Sequence, residues 1–254
     1  MKNPIVLGVD PGLAHCGWAL VEITPNQIET ARVLGVDVVN TEARTEREKG
    51  RAVRQADHDT HRLWTILRAL VAALDSAPGP VVAIAAEIPT GGKGGRAVKS
   101  LALVQGCLVA LAELRGLPFL VALNADIKLA TAGKRSATKD EVRAAVRLRV
   151  HPGSISVLDA YERREAKSRI EHAYDAIGSV LAKLDDNAIR VARALSARES
   201  EKLPITLPDA AKLEKLLKER PLPPVPPAIQ PGPRPMPDGS MILMYGGAPT
   251  MEEP

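Results

Sequence analysis

The chain has few aromatic residues, few cysteines and no long apolar run. Only two Trp, three Tyr and one Phe occur in 254 residues, so we expect a core of Leu, Val, Ile and Ala. Cys16 and Cys107 lie far apart in apolar sequence and show neither zinc-site spacing nor a disulfide framework, which indicates a reducing compartment. No secretory signal or membrane span is recognised, so we expect a soluble, cytoplasmic protein with no membrane partner.

Positive charge is concentrated in one part of the chain. The formal net charge is only +4, but residues 89–150 contain eleven Lys and Arg against four Asp and Glu. Such a basic stretch indicates a polyanionic partner such as nucleic acid. A solvated helix face is the alternative interpretation.

The hydrophobic pattern predicts an α/β domain with a mixed sheet. Three apolar strands in a meander come first, and strands then alternate with helices. Asn124 can cap a short helix, and Thr138 with Glu141 forms a capping box that opens the next one. The predicted strands are 4–10, 15–23, 31–39, 81–87 and 119–123, and the longer helices are near 63–74, 96–115, 138–150 and 169–195, with a polar connection at 151–168.

The composition predicts a main domain followed by appended segments. We expect the domain at 1–198, a linker with a short helix at 199–220, and a proline-rich, disordered tail at 221–254. Extended proline-rich segments can bind a protein partner, so the tail is a candidate recruitment site.

Two carboxylates close strongly apolar strands. Asp10 is held at a strand exit by the Pro11-Gly12 turn, and Glu87 ends the fourth strand. If these two strands are neighbours, both carboxylates lie at one edge of the sheet. Because a lone buried carboxylate is costly, each is expected to have a cation or a strong hydrogen-bond partner.

The last helix supplies two further ligand-type residues. His172 and Asp175 are three residues apart and share a helix face, and Ala173 and Ala176 are small enough for close approach to the sheet. Glu171 is turned about 100° from His172 and is expected to face solvent. Three carboxylates and an imidazole suit Mg²⁺, and two ions about 4 Å apart can promote phosphodiester cleavage.

Several motifs together resemble the RuvC family of Holliday-junction resolvases, within the RNase H-like superfamily. The segment GVDPGLAHCGW at residues 8–18 is similar to the family's opening motif. Glu87 falls where the family has its catalytic Glu, Ile127-Lys128 and residues 132–142 resemble its basic helix-turn region, and residues 172–176 resemble its last acidic motif. The resemblance spans about residues 4–195.

The resemblance implies an RNase H-like five-stranded sheet with helices on both faces, and a homodimer. It further implies Mg²⁺-dependent nicking, with Mn²⁺ as a substitute, of symmetrical strands at four-way junctions in DNA recombination and repair. The catalytic metal ligands would be Asp10, Glu87, His172 and Asp175. Lys128 and Lys139 match positions that family members use near the DNA phosphates. Independently of the resemblance, Lys93 and Arg96 supply charge to a glycine-rich loop that can approach DNA, and Lys99 and Lys134 are further candidate DNA-binding residues.

Three alternatives stay open. Ile88-Pro89 and a glycine loop stand where the family often has a bulky side chain, so a broader branched-DNA nuclease, for example in viral genome processing, is one alternative. A catalytically inactive nucleic-acid-binding module of the same fold is another. A related phosphotransferase or ATPase is disfavoured because no late glycine-rich phosphate loop is found.

Overall fold

A computed structural model describes residues 2–24, 31–41, 55–88 and 95–200, and the backbone of 234–235 and 241–242. Chain contacts divide it into two units, Met1–Leu203 and Pro204–Pro254. In the second unit, β6 (Arg234–Pro235) pairs antiparallel with β7 (Met241–Ile242). The predictions for Lys93, the glycine loop, the Arg96 side chain, the short helix within 199–220 and the rest of the tail lie outside the described residues.

The first unit contains a mixed five-stranded sheet. Its spatial order is β3-β2-β1-β4-β5. Strand β1 pairs antiparallel with β2, which pairs antiparallel with β3, whereas β1, β4 and β5 run parallel. The predicted meander is confirmed, and the first and fourth strands are neighbours, which meets the condition for bringing Asp10 and Glu87 to one edge. The bounds are β1 Ile5–Asp10, β2 His15–Ile23, β3 Ala31–Asn40, β4 Val81–Ile88 and β5 Phe119–Leu123.

Seven helices are described in this unit. The first starts eight residues before the predicted periodic segment, because its first two turns are charged and carry no apolar stripe. No helix in the described part of the chain is both long and apolar enough to cross a membrane. The bounds are α1 Gln55–Asp75, α2 Gly95–Leu114, α3 Asn124–Ala132, α4 Lys139–Arg149, α5 Ile155–Arg164, α6 Lys167–Leu181 and α7 Asn187–Ser200.

Two predictions about the second half of the domain are wrong. Residues 151–168 are not a plain polar connection but contain a 3₁₀ turn at Pro152–Ser154 and then α5, whose Leu158 and Tyr161 are buried on one face. The predicted last helix is two helices, since α6 ends at Leu181 and α7 begins at Asn187. There Asp186 accepts a hydrogen bond from the Ala188 backbone N–H at 3.0 Å, as a helix-capping residue does.

The sheet has a hydrophobic core on each face, as predicted. One core packs α4, α5 and α6 against the sheet and includes the buried Tyr161 and Tyr174. The other packs α1 and α2 against the opposite face and includes Leu70 and Leu108. Because successive strand residues point to opposite faces, Val6 lies in the first core while Ile5, Leu7 and Val9 lie in the second.

Candidate active site

The strand alternation brings polar residues to one end of the sheet beneath α6. Val6 on β1 and Ala85 on β4 face α6, so Asp10 and Glu87, an even number of residues further on, face it as well. The parallel register of Val9 with Ala86 makes these two carboxylates neighbours at the carboxyl ends of their strands. His15 opens β2 at the same end and pairs with Asn40, the last residue of β3.

Two glycines allow α6 to lie directly on the strands. A Cβ atom at Gly8 would overlap the backbone oxygen of Ala176, and one at Gly17 would overlap the backbone oxygen of His172. The hydroxyl of Ser179 donates to the backbone oxygen of Ala85 on β4 at 2.9 Å. The close approach was predicted from Ala173 and Ala176, which are both fully buried, but the glycines on the strand side make it possible.

A hydrogen bond joins the helix to the first strand at the site. Nδ1 of His172 lies 2.7 Å from Oδ2 of Asp10 and donates to it. This bond raises the pKa of His172, outweighing burial, which lowers it. The His15 ring lies 5.5 Å from the His172 ring, centroid to centroid, and its Nδ1 donates to Oδ1 of Asn40 at 2.9 Å. Two hydrogen bonds and one ring contact therefore link side chains of β1, α6, β2 and β3 in a row.

Glu87 is held by a residue that sequence reasoning assigned to another role. Asn124 was predicted to cap α3, but Leu123 occupies the N-cap position, and Asn124 Nδ2 donates to Oε1 of Glu87 at 2.9 Å. Burial and the charge of Asp10 raise the pKa of Glu87, against the effect of this hydrogen bond. The pairing of Glu87 with Ala122 on β5 is the signal that could have placed Asn124 here, since Asn124 lies two residues further along that strand's direction.

Asp175 has a strongly raised pKa. Burial, followed by the charges of Asp10 and Glu87, raises its pKa from an ordinary 3.8 to about 8, although the Lys139 ammonium opposes this. Of the four predicted ligands, Asp10, Glu87 and Asp175 thus act electrostatically on one another, and His172 touches Asp10 directly. The structure brings all four predicted residues to one site.

The donor set fits a divalent metal ion. Three carboxylates supply the hard oxygen ligands that Mg²⁺ and Mn²⁺ prefer. Burial, and after it the charges of neighbouring carboxylates, raises the pKa values of Glu87 and Asp175, and a cation would neutralise those charges. Within the described ranges, no three His, Cys, Asp or Glu side chains already form a compact metal-binding group. The residues that would hold the ion are Asp10, Glu87, His172 and Asp175.

Glu171, expected to face solvent, is partly exposed and also has a partner in the protein. Its carboxylate forms an ion pair with Nζ of Lys139, the first residue of α4. Burial lowers the pKa of Lys139, but the hydrogen bond and charge of Glu171 raise it above its ordinary value. A predicted DNA-binding cation is thus held by a carboxylate that neighbours a predicted metal ligand.

Other candidate DNA-binding residues differ in how far they are neutralised. Lys134 pairs with Glu141 at 2.5 Å. Lys128 is half-buried and Lys99 is exposed, and neither forms an ion pair within the described part of the chain. The positive charge of residues 89–150 is further reduced by carboxylates of α5, because Arg143 binds Glu162 and Arg147 binds Asp159 and Glu162.

Comparison with known proteins identifies relatives by sequence. The family model for the crossover junction endodeoxyribonuclease RuvC matches residues 6–160, a segment that includes Asp10 and Glu87 and ends before His172. The RuvC of Paenarthrobacter aurescens is 33% identical over 56% of this chain and 66% of its own length, and that of Leifsonia xyli is 31% identical over 56% and 60%. The chain thus matches slightly less than two thirds of the length of these relatives.

Solved structures share the fold. Thermus thermophilus RuvC, in a complex with a Holliday junction substrate, aligns with a TM-score of 0.53 and 21% identity over 77% of this chain and 96% of that one. The yeast mitochondrial Holliday junction resolvase Ydc2 aligns with a TM-score of 0.50 and 11% identity over 80% and 86%. The architecture is therefore the RNase H-like one that the sequence motifs implied. By its matching family model, its curated relatives and this fold, the chain belongs to the RuvC family.

Proposed function

We propose that this protein is a metal-dependent endonuclease that resolves Holliday junctions by paired symmetrical nicks during DNA recombination and repair. One observation carries the proposal: Asp10, Glu87, His172 and Asp175 meet at one end of the sheet, and their charges act on one another. The family's named activity and the solved complex of Thermus thermophilus RuvC with a Holliday junction substrate support it.

Each residue of the site has a definable role. Asp10, Glu87 and Asp175 would hold Mg²⁺, or Mn²⁺ in its place, with His172 as the fourth ligand. When bound, such ions would activate a water and neutralise charge on a phosphodiester. Asn124 orients the Glu87 carboxylate, and Lys139 lies where it can attract a DNA phosphate.

A homodimer suits this activity, because two related cuts need two related active sites. Helix α2 supports the assembly, since it exposes an apolar stripe of small residues at helical spacing, three or four apart. The exposed fractions of Val98 and Val109 are 50% and 46%. Ala102 and Gly106 lie between them on the same exposed face, where a second copy can approach closely.

We also propose roles for the segments around the nuclease domain. Residues 1–198 would contain the nuclease, and 199–220 would connect it to the proline-rich segment, which would bind a cytoplasmic protein partner in an extended conformation. Deleting 221–254 is expected to remove an interaction and to leave junction cleavage intact. If the deletion changes neither, the segment is only a spacer.

The test is cleavage of a labelled four-way junction beside matched duplex and single strand, with Mg²⁺ or Mn²⁺. Symmetrical nicks on the junction alone, absent from the Asp10→Asn variant, are the expected result. Cleavage of all branched or flapped forms would identify a broader branched-DNA nuclease. Tight binding with no cleavage would identify an inactive binding module, and cleavage by Asp10→Asn would overturn the site assignment.

A further inference from the structure

A cavity of about 500 Å³ opens between the first turns of α4 and α6. It is next to the proposed active site, because one of its lining residues, Glu171, directly precedes His172 in α6. Five of its lining residues are charged, namely Lys139, Asp140, Arg143, Lys167 and Glu171. Three cations around one opening favour an anionic ligand, provided that they are not already neutralised.

The three cations differ in how they are paired. Arg143 is bound by Glu162 of α5 through two hydrogen bonds, of 2.9 and 2.5 Å, so its charge is satisfied outside the cavity. Lys139 is paired with Glu171, a carboxylate of the cavity itself. Lys167 is exposed and forms no ion pair within residues 95–200. Removing the Glu171 charge would therefore leave two cations, Lys139 and Lys167, facing the opening against the single carboxylate of Asp140.

The ion pair is of a kind that a ligand can displace. The Lys139 and Glu171 side chains are 64% and 32% exposed. Pairs that are this accessible to water contribute little stability, because solvent and salt screen them and both long side chains must be ordered. A DNA phosphate offers the Lys139 ammonium the same negative charge and the same kind of hydrogen-bond acceptor as the Glu171 carboxylate.

We propose that Glu171 is an internal counter-ion that occupies a phosphate-binding site. In free protein it neutralises Lys139; when DNA is bound, a backbone phosphate enters the cavity, replaces the Glu171 carboxylate on Lys139 and also meets Lys167. This inference rests on the proposed function for its ligand, the DNA that reaches the adjacent site. Its consequence is that Glu171 lowers affinity for any DNA whose backbone enters the cavity, since the phosphate must first displace the carboxylate from Lys139.

The experiment measures DNA affinity by fluorescence anisotropy without divalent metal, on a labelled duplex and a labelled four-way junction. Salt is varied from about 50 to 200 mM, because the slope of log K against log salt counts the phosphates neutralised. The proteins are the full wild-type chain, Glu171→Gln, Lys139→Gln and the double variant. Asp185→Asn is the matched control: it removes one exposed carboxylate from the turn after α6, roughly 20 Å along the helix axis. Thermal melts establish that every variant is folded.

Glu171→Gln is expected to bind both DNAs about two- to fivefold more tightly than wild type. The slope of log K against log salt should be steeper by up to about 0.9 for this variant, because Lys139 no longer exchanges the Glu171 carboxylate for a DNA phosphate. The gain should disappear when Lys139 is also Gln. Three results would each overturn the proposal: a gain no larger than that of Asp185→Asn, weaker binding by Glu171→Gln, or a gain that persists without Lys139.

Cleavage of the junction by the wild-type chain with Mg²⁺ is measured in parallel. Absence of cleavage with the Glu171→Gln gain intact would reject the resolvase function and retain the counter-ion role on DNA. Cleavage without that gain would retain the resolvase and reject the counter-ion role. The two proposals therefore fail separately.

Discussion

Nδ1 of His172 on α6 donates to Oδ2 of Asp10 at the end of β1 across 2.7 Å, so two proposed metal ligands bind each other. A metal ion that binds these residues must compete with this hydrogen bond and with the proton that the bond stabilises on His172. The consequences for metal affinity, stability and packing can each be measured.

Metal affinity is expected to rise with pH. The hydrogen bond to Asp10 raises the pKa of His172, and burial with neighbouring carboxylates raises that of Asp175 to about 8, so protons must leave before these groups bind a cation. Between about pH 6 and pH 8 we expect Mn²⁺ affinity to increase by up to about tenfold per pH unit. Calorimetry in buffers of different ionisation enthalpy should detect proton release on binding. An affinity independent of pH would contradict the assignment of these ligands.

Replacing Asn124 should weaken metal binding without unfolding the protein. Asn124→Ala removes the 2.9 Å hydrogen bond that orients the Glu87 carboxylate and lowers its pKa, against the effect of burial and of Asp10. Losing such an outer partner of a ligand typically costs about 10- to 100-fold in metal affinity or activity. Asn40→Ala, which removes a partner of His15 but of no carboxylate, is the matched control. Equal losses in the two variants would show that Asn124 has no special relation to Glu87.

Asp175→Asn should stabilise the metal-free protein while abolishing cleavage. The pKa of Asp175 is raised from 3.8 to about 8 on folding, so its contribution to stability is present below about pH 4 and is lost as pH rises to about 8. The asparagine does not ionise, and its advantage should therefore grow over that interval. At pH 8, in the presence of a chelator, we expect Asp175→Asn to raise the free energy of unfolding by about 2 kcal/mol, which corresponds to a Tm increase of roughly 4–8 °C. An advantage that is constant from pH 4 to pH 8 would contradict the charge explanation.

A single methyl group at Gly17 should disrupt the site. The new Cβ would overlap the backbone oxygen of His172, so α6 must move away from β2. We expect Gly17→Ala to cost about 1–3 kcal/mol and to lower cleavage by more than the loss of folded protein explains. Gly95→Ala, where nothing lies within 4 Å of the added atom, controls for the loss of glycine itself. Full activity in a correctly melting Gly17→Ala protein would show that the close contact is dispensable.

A charge on the apolar stripe of α2 should prevent self-association. Val109→Lys places an ammonium on the face proposed to meet a second copy, where desolvating it is unfavourable. Sedimentation should show a monomer, with the fold retained by circular dichroism. Val191→Lys, at a 58% exposed position of α7, is expected to leave the dimer unchanged. If Val109→Lys remains a dimer, the interface lies elsewhere.

The sheet was predictable because its strands are rich in apolar residues and its turns are marked by Pro and Gly. The same alternation places Asp10 and Glu87 on one face, and the three-residue spacing places His172 with Asp175. Family membership followed from these motifs and is confirmed by the matching family model.

What local patterns missed depends on contacts between distant segments. Asn124 follows a strand and precedes a helix, so its amide looked like a cap, and only the register with β4 reveals Glu87 as its partner. Glu171 looked solvent-facing because its partner Lys139 lies 32 residues earlier in the chain, on another helix. The break between α6 and α7 was missed because the apolar period continues on both sides of residues 182–186.

The helix that contributes His172 and Asp175 also forms the centre of one hydrophobic core, with nine of its fifteen residues buried. Moving this helix relative to β1 would require unpacking the protein interior. The backbone positions of His172 and Asp175 are therefore fixed by the fold. Under the function proposed above, the adaptation would come from the nucleic acid, and a flexible branch point, which bends and unstacks more easily than a continuous duplex, is the form of DNA best able to fit such a site.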